Sequence, residues 1–93
     1  MNYYALIYYL IDDYISRRTQ FRDTHLKMAK EANDRGELIL AGAFSEPTDR
    51  ALLVFKVPDK SVIEDFVTND PYVKNGLVTK WEIRKWTVVI GNE

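Results

Sequence analysis

Apolar and polar residues alternate along this chain with two distinct rhythms, and each rhythm predicts an element. Residues 3–11 are an unbroken run of aromatic, β-branched and aliphatic side chains ended by Asp12-Asp13, which predicts a strand covered on both faces. Over residues 17–34 the apolar positions recur with the 3.6-residue period of a helix, and Gly36 stands where a left-handed helix stop would fall. Residues 38–44 predict a second strand. The turn-forming Ser45-Glu46-Pro47-Thr48-Asp49 then leads into a third over 51–57, so the two form a hairpin. Pro58-Asp59 closes it. Ser61 predicts an N-cap, with Glu64 three residues on completing a capping box. The helix over 62–68 turns Val62, Ile63, Phe66 and Val67 inward, and Asn69-Asp70-Pro71 stops it, because the residue before a proline is pushed out of helical φ/ψ. Residues 80–90 predict the last strand. The order β-α-β-β-α-β predicts an α+β, ferredoxin-like single domain over residues 1–93, a four-stranded antiparallel sheet with two helices on one face.

The outer strand pattern does not fit that picture alone. Such a sheet should alternate apolar and polar, yet Tyr4, Leu6, Tyr8 and Leu10 oppose Tyr3, Ala5, Ile7 and Tyr9. The last strand likewise sets Trp81, Ile83 and Val89 against Trp86, Val88 and Ile90. Both faces ask for cover, and two helices supply one. A second copy packed sheet to sheet would supply the other, so a homodimer with a barrel-like interior is expected. Exposed tyrosine is the alternative.

Composition narrows the class. A 93-residue chain buries roughly 60–65% of its unfolded surface, so its own core is modest. Thirteen Lys+Arg against fourteen Asp+Glu give a net charge of −1 with no basic block, which argues against nucleic acid as a partner. Without cysteine there is no disulfide framework and no thiolate metal site, which fits a reducing compartment. The apolar start is too short to span a bilayer and lacks the charged region and cleavage site of a signal peptide. The expected location is the cytoplasm, with no membrane partner.

Candidate chemistry centres on His25, the only histidine. Counting about 100° per residue, Phe21, His25, Met28, Ala29 and Ala32 share one stripe of about 100°, a stripe that a helix packed on a sheet fills with hydrocarbon. An imidazole there needs a hydrogen-bond partner, since a buried polar group left unpaired costs roughly 1–3 kcal/mol. Asp70 is the candidate, because its backbone leaves the second helix and both helices lie on one sheet face. A carboxylate on one ring nitrogen fixes the tautomer and leaves the other nitrogen to move a proton. The same pair could equally be structural, and spacing leaves that open. Arg22, within a quarter-turn of His25 on the helical wheel, could hold an anionic substrate or pair with Asp23 or Glu31 in solvent. Tyr72 could donate its hydroxyl to a ligand or pack beside Pro71. Ser45, at the hairpin mouth, could bind substrate or bond its own backbone. Asp12-Asp13 without a third ligand reads as solvated loop, and Glu31, Lys27 and Lys30 as the charged face of a helix. No phosphate loop, nucleophile elbow, nucleotide motif or haem motif is present, and one histidine gives no support to zinc. No metal and no cofactor are expected.

Four segments together resemble one family. Arg22-Asp23-Thr24-His25-Leu26, then Gly36-Glu37-Leu38-Ile39-Leu40-Ala41-Gly42, then Asp70-Pro71-Tyr72 with Gly76-Leu77, and Glu82-Ile83-Arg84-Lys85-Trp86 are similar, in the same order, to the YciI-like (YCII-related) family. The resemblance implies a ferredoxin-like fold, dimerisation through the sheet, and an active site with a His-Asp pair at His25 and Asp70. One branch of that family removes chloride from chlorinated hydroxyhydroquinones, and the wider dimeric α/β-barrel group includes muconolactone isomerases and small monooxygenases. Members commonly carry proline after the Ala-Gly pair, where Phe44 follows Ala43, and often glycine at the start of the third strand, where Arg50-Ala51 stands. Both departures fall near the expected pocket rim and leave the substrate class open. The expected function is cofactor-free acid/base chemistry, of lyase, isomerase or dehydrochlorinase type, on a small cyclic or aromatic metabolite. The alternative is a non-catalytic binding or sensor protein with a structural His-Asp pair.

Overall fold

The computed structural model describes residues 1–92. In chain order its elements are β1 (Asn2–Leu10), α1 (Tyr14–Arg17), a 3-10 turn (Arg18–Gln20), α2 (Arg22–Asp34), β2 (Leu38–Ala43), β3 (Arg50–Val57), α3 (Ser61–Asn69), α4 (Pro71–Lys74) and β4 (Val78–Trp86). The strands form one antiparallel sheet in the order β2-β3-β1-β4. This is the α+β ferredoxin-like fold that the sequence predicts.

Strand β1 lies inside the sheet, with Leu6 opposite Leu53 on one side and Ile83 on the other. Period-2 geometry sends Tyr4, Leu6, Tyr8 and Leu10 to the helix-covered face, where they are buried with Phe55, Val57, Ile63 and Leu77. Cover on both faces does not hold within one chain: Tyr3, Ala5, Ile7 and Tyr9 are only half-buried. Long cationic side chains shade part of that face, with Arg50 and Lys80 over the Tyr9 ring and Lys56 over Tyr3.

Four local expectations are corrected. The helix expected over 17–34 is interrupted, because the polar Arg17-Arg18-Thr19-Gln20 carries no apolar anchor; the chain makes a short turn there, and α2 starts afresh at Arg22. Ser61 is not the N-cap. The Asp59 carboxylate accepts from the Ser61 backbone N–H at 2.9 Å and from the Ser61 hydroxyl, so the upstream acid does the capping and no Ser61–Glu64 box forms. A further helical turn, α4, follows Pro71, which sits at its first position with Asp70 as N-cap. Strand β4 ends at Trp86 rather than residue 90: Tyr3 pairs with Trp86 and β1 begins at Asn2, so later residues have no strand beside them.

Both helix stops that flank the site are left-handed glycines. Gly36 (φ +79°) ends α2 with the Glu37 N–H bonded back to the Ala32 carbonyl. Gly76 (φ +77°) ends α4 with the Leu77 N–H on the Tyr72 carbonyl at 3.0 Å. No helix of the described residues is long and apolar enough to cross a membrane.

Candidate active site

Three elements deliver three side chains to one buried point. Pro71 forces Asp70 into extended backbone (φ −72°, ψ 120°) between α3 and α4, and its carboxylate turns inward with no solvent exposure. A buried carboxylate is tolerable only when hydrogen-bonded. Here Oδ2 accepts the Tyr8 hydroxyl of β1 at 2.7 Å, while Oδ1 faces His25 Nδ1 of α2 at 2.8 Å and accepts the Tyr72 backbone N–H at 3.0 Å. Burial first, and the Asp70 charge second, push the Tyr8 phenol far above its ordinary range, so Tyr8 donates as a neutral hydroxyl.

Because a carboxylate can only accept, Nδ1 of the neutral imidazole carries the proton and Nε2 carries the lone pair. The His25 side chain is 14% exposed, and Nε2 has no hydrogen-bond partner among the described residues. The ring is clamped flat against Tyr72, centroids 3.9 Å apart and planes 10° apart, and Tyr14 meets Tyr72 edge-on at 5.6 Å. Tyr72 is therefore a wall of the site. Its hydroxyl is buried without a partner. Burial and the neighbouring Tyr14 push that phenol up to about 12, against the opposing pull of Arg22 and Arg18.

The imidazole opens on a cleft of about 560 Å³ between α2 and the β2–β3 side of the sheet, within the size range of small-molecule sites. Tyr14, Arg22, Leu26, Leu38, Ala41 and Leu53 are among its walls. Of the residues singled out in the sequence, His25 and Asp70 meet, and Arg22 and Tyr72 line the same cleft. Arg22 makes no ion pair with Asp23 or Glu31. Ser45 lies exposed in the β2–β3 connection and is not among the lining residues. Asp12 and Asp13 are exposed, and no cluster of three or more imidazole or carboxylate groups capable of holding a metal occurs among the described residues.

Tyr8, Tyr14 and Arg18 belong to the site without being singled out by the sequence. Tyr8 carries a usable signal, since a phenol on the buried parity of β1 must bond to something. The two departures from the family pattern flank the cleft: Ala43 and Ala51 line it, and the Phe44 N–H bonds the Arg50 carbonyl at its rim.

The family model of the YCII-related domain matches residues 1–87. No curated protein sequence matches the chain. Among solved structures, a 5-chloro-2-hydroxyhydroquinone dehydrochlorinase from Burkholderia phenoliruptrix, in complex with 2,5-dihydroxybenzoquinone, shares the fold at a TM-score of 0.80, with 15% identity over 98% of this chain and 99% of that one. A protein from Agrobacterium tumefaciens scores 0.63 at 14% identity, over 98% and 96% of the two chains. An antibiotic biosynthesis monooxygenase scores 0.60 at 9% identity, over 96% and 99%. With the family match spanning nearly its whole length, this chain belongs to the YCII-related domain family.

Proposed function

We infer that this protein is a cofactor-free acid/base enzyme acting on a small cyclic or aromatic molecule held in the cleft beside His25. The observation that carries the reading is the pairing of a half-buried imidazole with a wholly buried carboxylate at 2.8 Å, its second nitrogen left unpartnered beside a cavity. In that reading Nε2 takes a proton from the bound molecule and returns it at another atom or to a leaving group. Asp70 orients the ring and offsets the charge of the imidazolium while it lasts. Tyr8 holds Asp70 from behind, and Tyr72 holds the ring plane. The dehydrochlorinase of like fold, solved with a dihydroxybenzoquinone, supports ring compounds as the first substrates to try.

One observation favours a second reading. Asp70 also caps α4 through the Tyr72 N–H, a task that needs no catalysis, and the cleft would then bind a metabolite without turning it over. Under either reading the half-buried sheet face is the seat of a homodimer, and the cell interior is the expected setting.

Turnover separates the two. A panel of hydroxylated and chlorinated hydroquinones and small lactones, followed by absorbance, is expected to yield a converted compound. His25→Ala, with its fold intact by circular dichroism, should lower kcat/KM on that compound by about 10²–10⁴-fold. Unchanged kcat/KM in that variant overturns the acid/base reading, and stabilising binding without conversion supports the second one.

A further inference from the structure

Charge around the cleft is distributed very unevenly. The chain carries fourteen Asp+Glu and a net charge of −1, yet among the described residues no carboxylate lines the cleft, whereas Arg18, Arg22 and Lys30 do. Asp70 lies behind the imidazole, with both oxygens occupied by Tyr8, His25 and the Tyr72 N–H. Lys30 is engaged by Asp34 one turn along α2. Arg18 and Arg22 make no ion pair with any described carboxylate, although both are half-buried. The Arg18 guanidinium is held at the wall, 5.3 Å from the centroid of the Tyr14 ring. Arg22 stands one turn before His25 on α2, so guanidinium and imidazole reach the same space. Beside them sits the Tyr72 hydroxyl, wholly buried and without a partner. Two half-desolvated cations and one orphaned donor, walled by Leu38, Leu53 and Ala41, form a receptor for a negative oxygen on an apolar body.

We propose that the cleft takes a small organic acid as its anion, with Arg22 and Arg18 receiving the charge and the Tyr72 hydroxyl donating to the same oxygens. The proposal rests on the acid/base reading only for the identity of the cleft as the substrate site. It deepens that reading by fixing the end of the molecule that is bound rather than transformed. The anionic group lies toward the start of α2, and the reacting atom toward His25.

Benzoate and its neutral isostere benzamide are the probes, titrated into the full-length protein while the ring signals of the single histidine are followed by NMR. Saturable binding of benzoate in the millimolar range or tighter is expected, with benzamide at least about tenfold weaker, the loss expected for a hydrogen bond to a charged group. Arg22→Gln and Arg18→Gln, each checked for an unchanged melting temperature, should remove that preference. Added sodium chloride should weaken benzoate and leave benzamide unmoved, because the Arg side chains are partly open to solvent. Equal binding of the two probes, a preference that survives both arginine variants, or no saturable benzoate binding overturns the proposal. Those outcomes leave His25-dependent turnover to be judged separately. Conversely, a benzoate preference in a protein whose turnover ignores His25→Ala overturns the acid/base reading and sustains the anion site.

Discussion

Asp70 shows how one residue can be fixed by several demands at once. It accepts from a phenol, an imidazole and a backbone amide, and it caps the helical turn that carries Tyr72. Two tyrosines beside it have opposite status, one bonded and one orphaned, and that contrast is measurable. Tyr8→Phe deprives a buried carboxylate of a donor and is expected to cost about 1–3 kcal/mol in urea unfolding. Tyr72→Phe removes a hydroxyl that has no partner, so stability should change by less than about 0.5 kcal/mol or rise. The pH dependence follows from the same burial. Folding holds the Tyr72 proton more tightly than the ordinary value of 10.0, up to about 12. Its contribution to stability is therefore whole below about pH 10 and drains away as pH rises through 12. Tyrosinate absorbance at 295 nm should show the folded Tyr72 and Tyr8 phenols still neutral at pH 11, both titrating together with unfolding. His25 is legible in the sequence because an imidazole breaks an apolar stripe. Tyr8 is legible only in part: its parity on β1 marks a buried phenol in need of a partner, but Tyr4 shares that parity, and only the fold selects the one that faces Asp70.

At the level of elements, the strands, the hairpin and the helix stops can be read from period and turn chemistry, whereas helix starts cannot. The expected Ser61 cap loses to Asp59, a stronger acceptor two residues upstream. The Arg17-to-Gln20 segment keeps helical spacing but offers no apolar side chain to the core, so α2 begins later than its periodicity suggests. Proline is legible as a stop and not as a start: Pro71 ends α3 and opens α4, and this double role is what frees the Asp70 side chain to turn inward. Glycine gives the most reliable punctuation. Gly36 sits at φ +79° with open space where a Cβ would stand, so Gly36→Ala carries only the conformational cost. A loss of about 1–2 kcal/mol in urea unfolding, with unchanged m-value, is expected.

For the whole molecule, the sequence sets two apolar sheet faces against one layer of helices. A single chain leaves Tyr3, Ala5, Ile7 and Tyr9 half-covered, while Leu40 and Trp86 on the same face are exposed. Nothing in one chain supplies the missing layer, and the same mismatch is already legible in the two-sided apolar pattern of residues 3–11. Multi-angle light scattering at micromolar concentration should give twice the chain mass. Ile7→Glu, which sets a carboxylate in the middle of that face opposite Glu82, should shift the protein toward single chains while the helix-side core stays folded. A wild-type protein of single-chain mass contradicts the dimer.

The site's claim to chemistry rests on which ring nitrogen of His25 holds the proton, and one measurement reads that directly. Long-range nitrogen–proton correlation of the one histidine, at a pH where its ring is neutral, distinguishes the two tautomers without assignment. The expected result is the Nδ1–H form in the wild type, held by Asp70 and leaving Nε2 as the base toward the cleft, with reversion toward Nε2–H in Asp70→Asn. A wild-type ring already in the Nε2–H form, and unmoved by Asp70→Asn, would mean that the carboxylate does not orient the imidazole and that the proposed base does not exist.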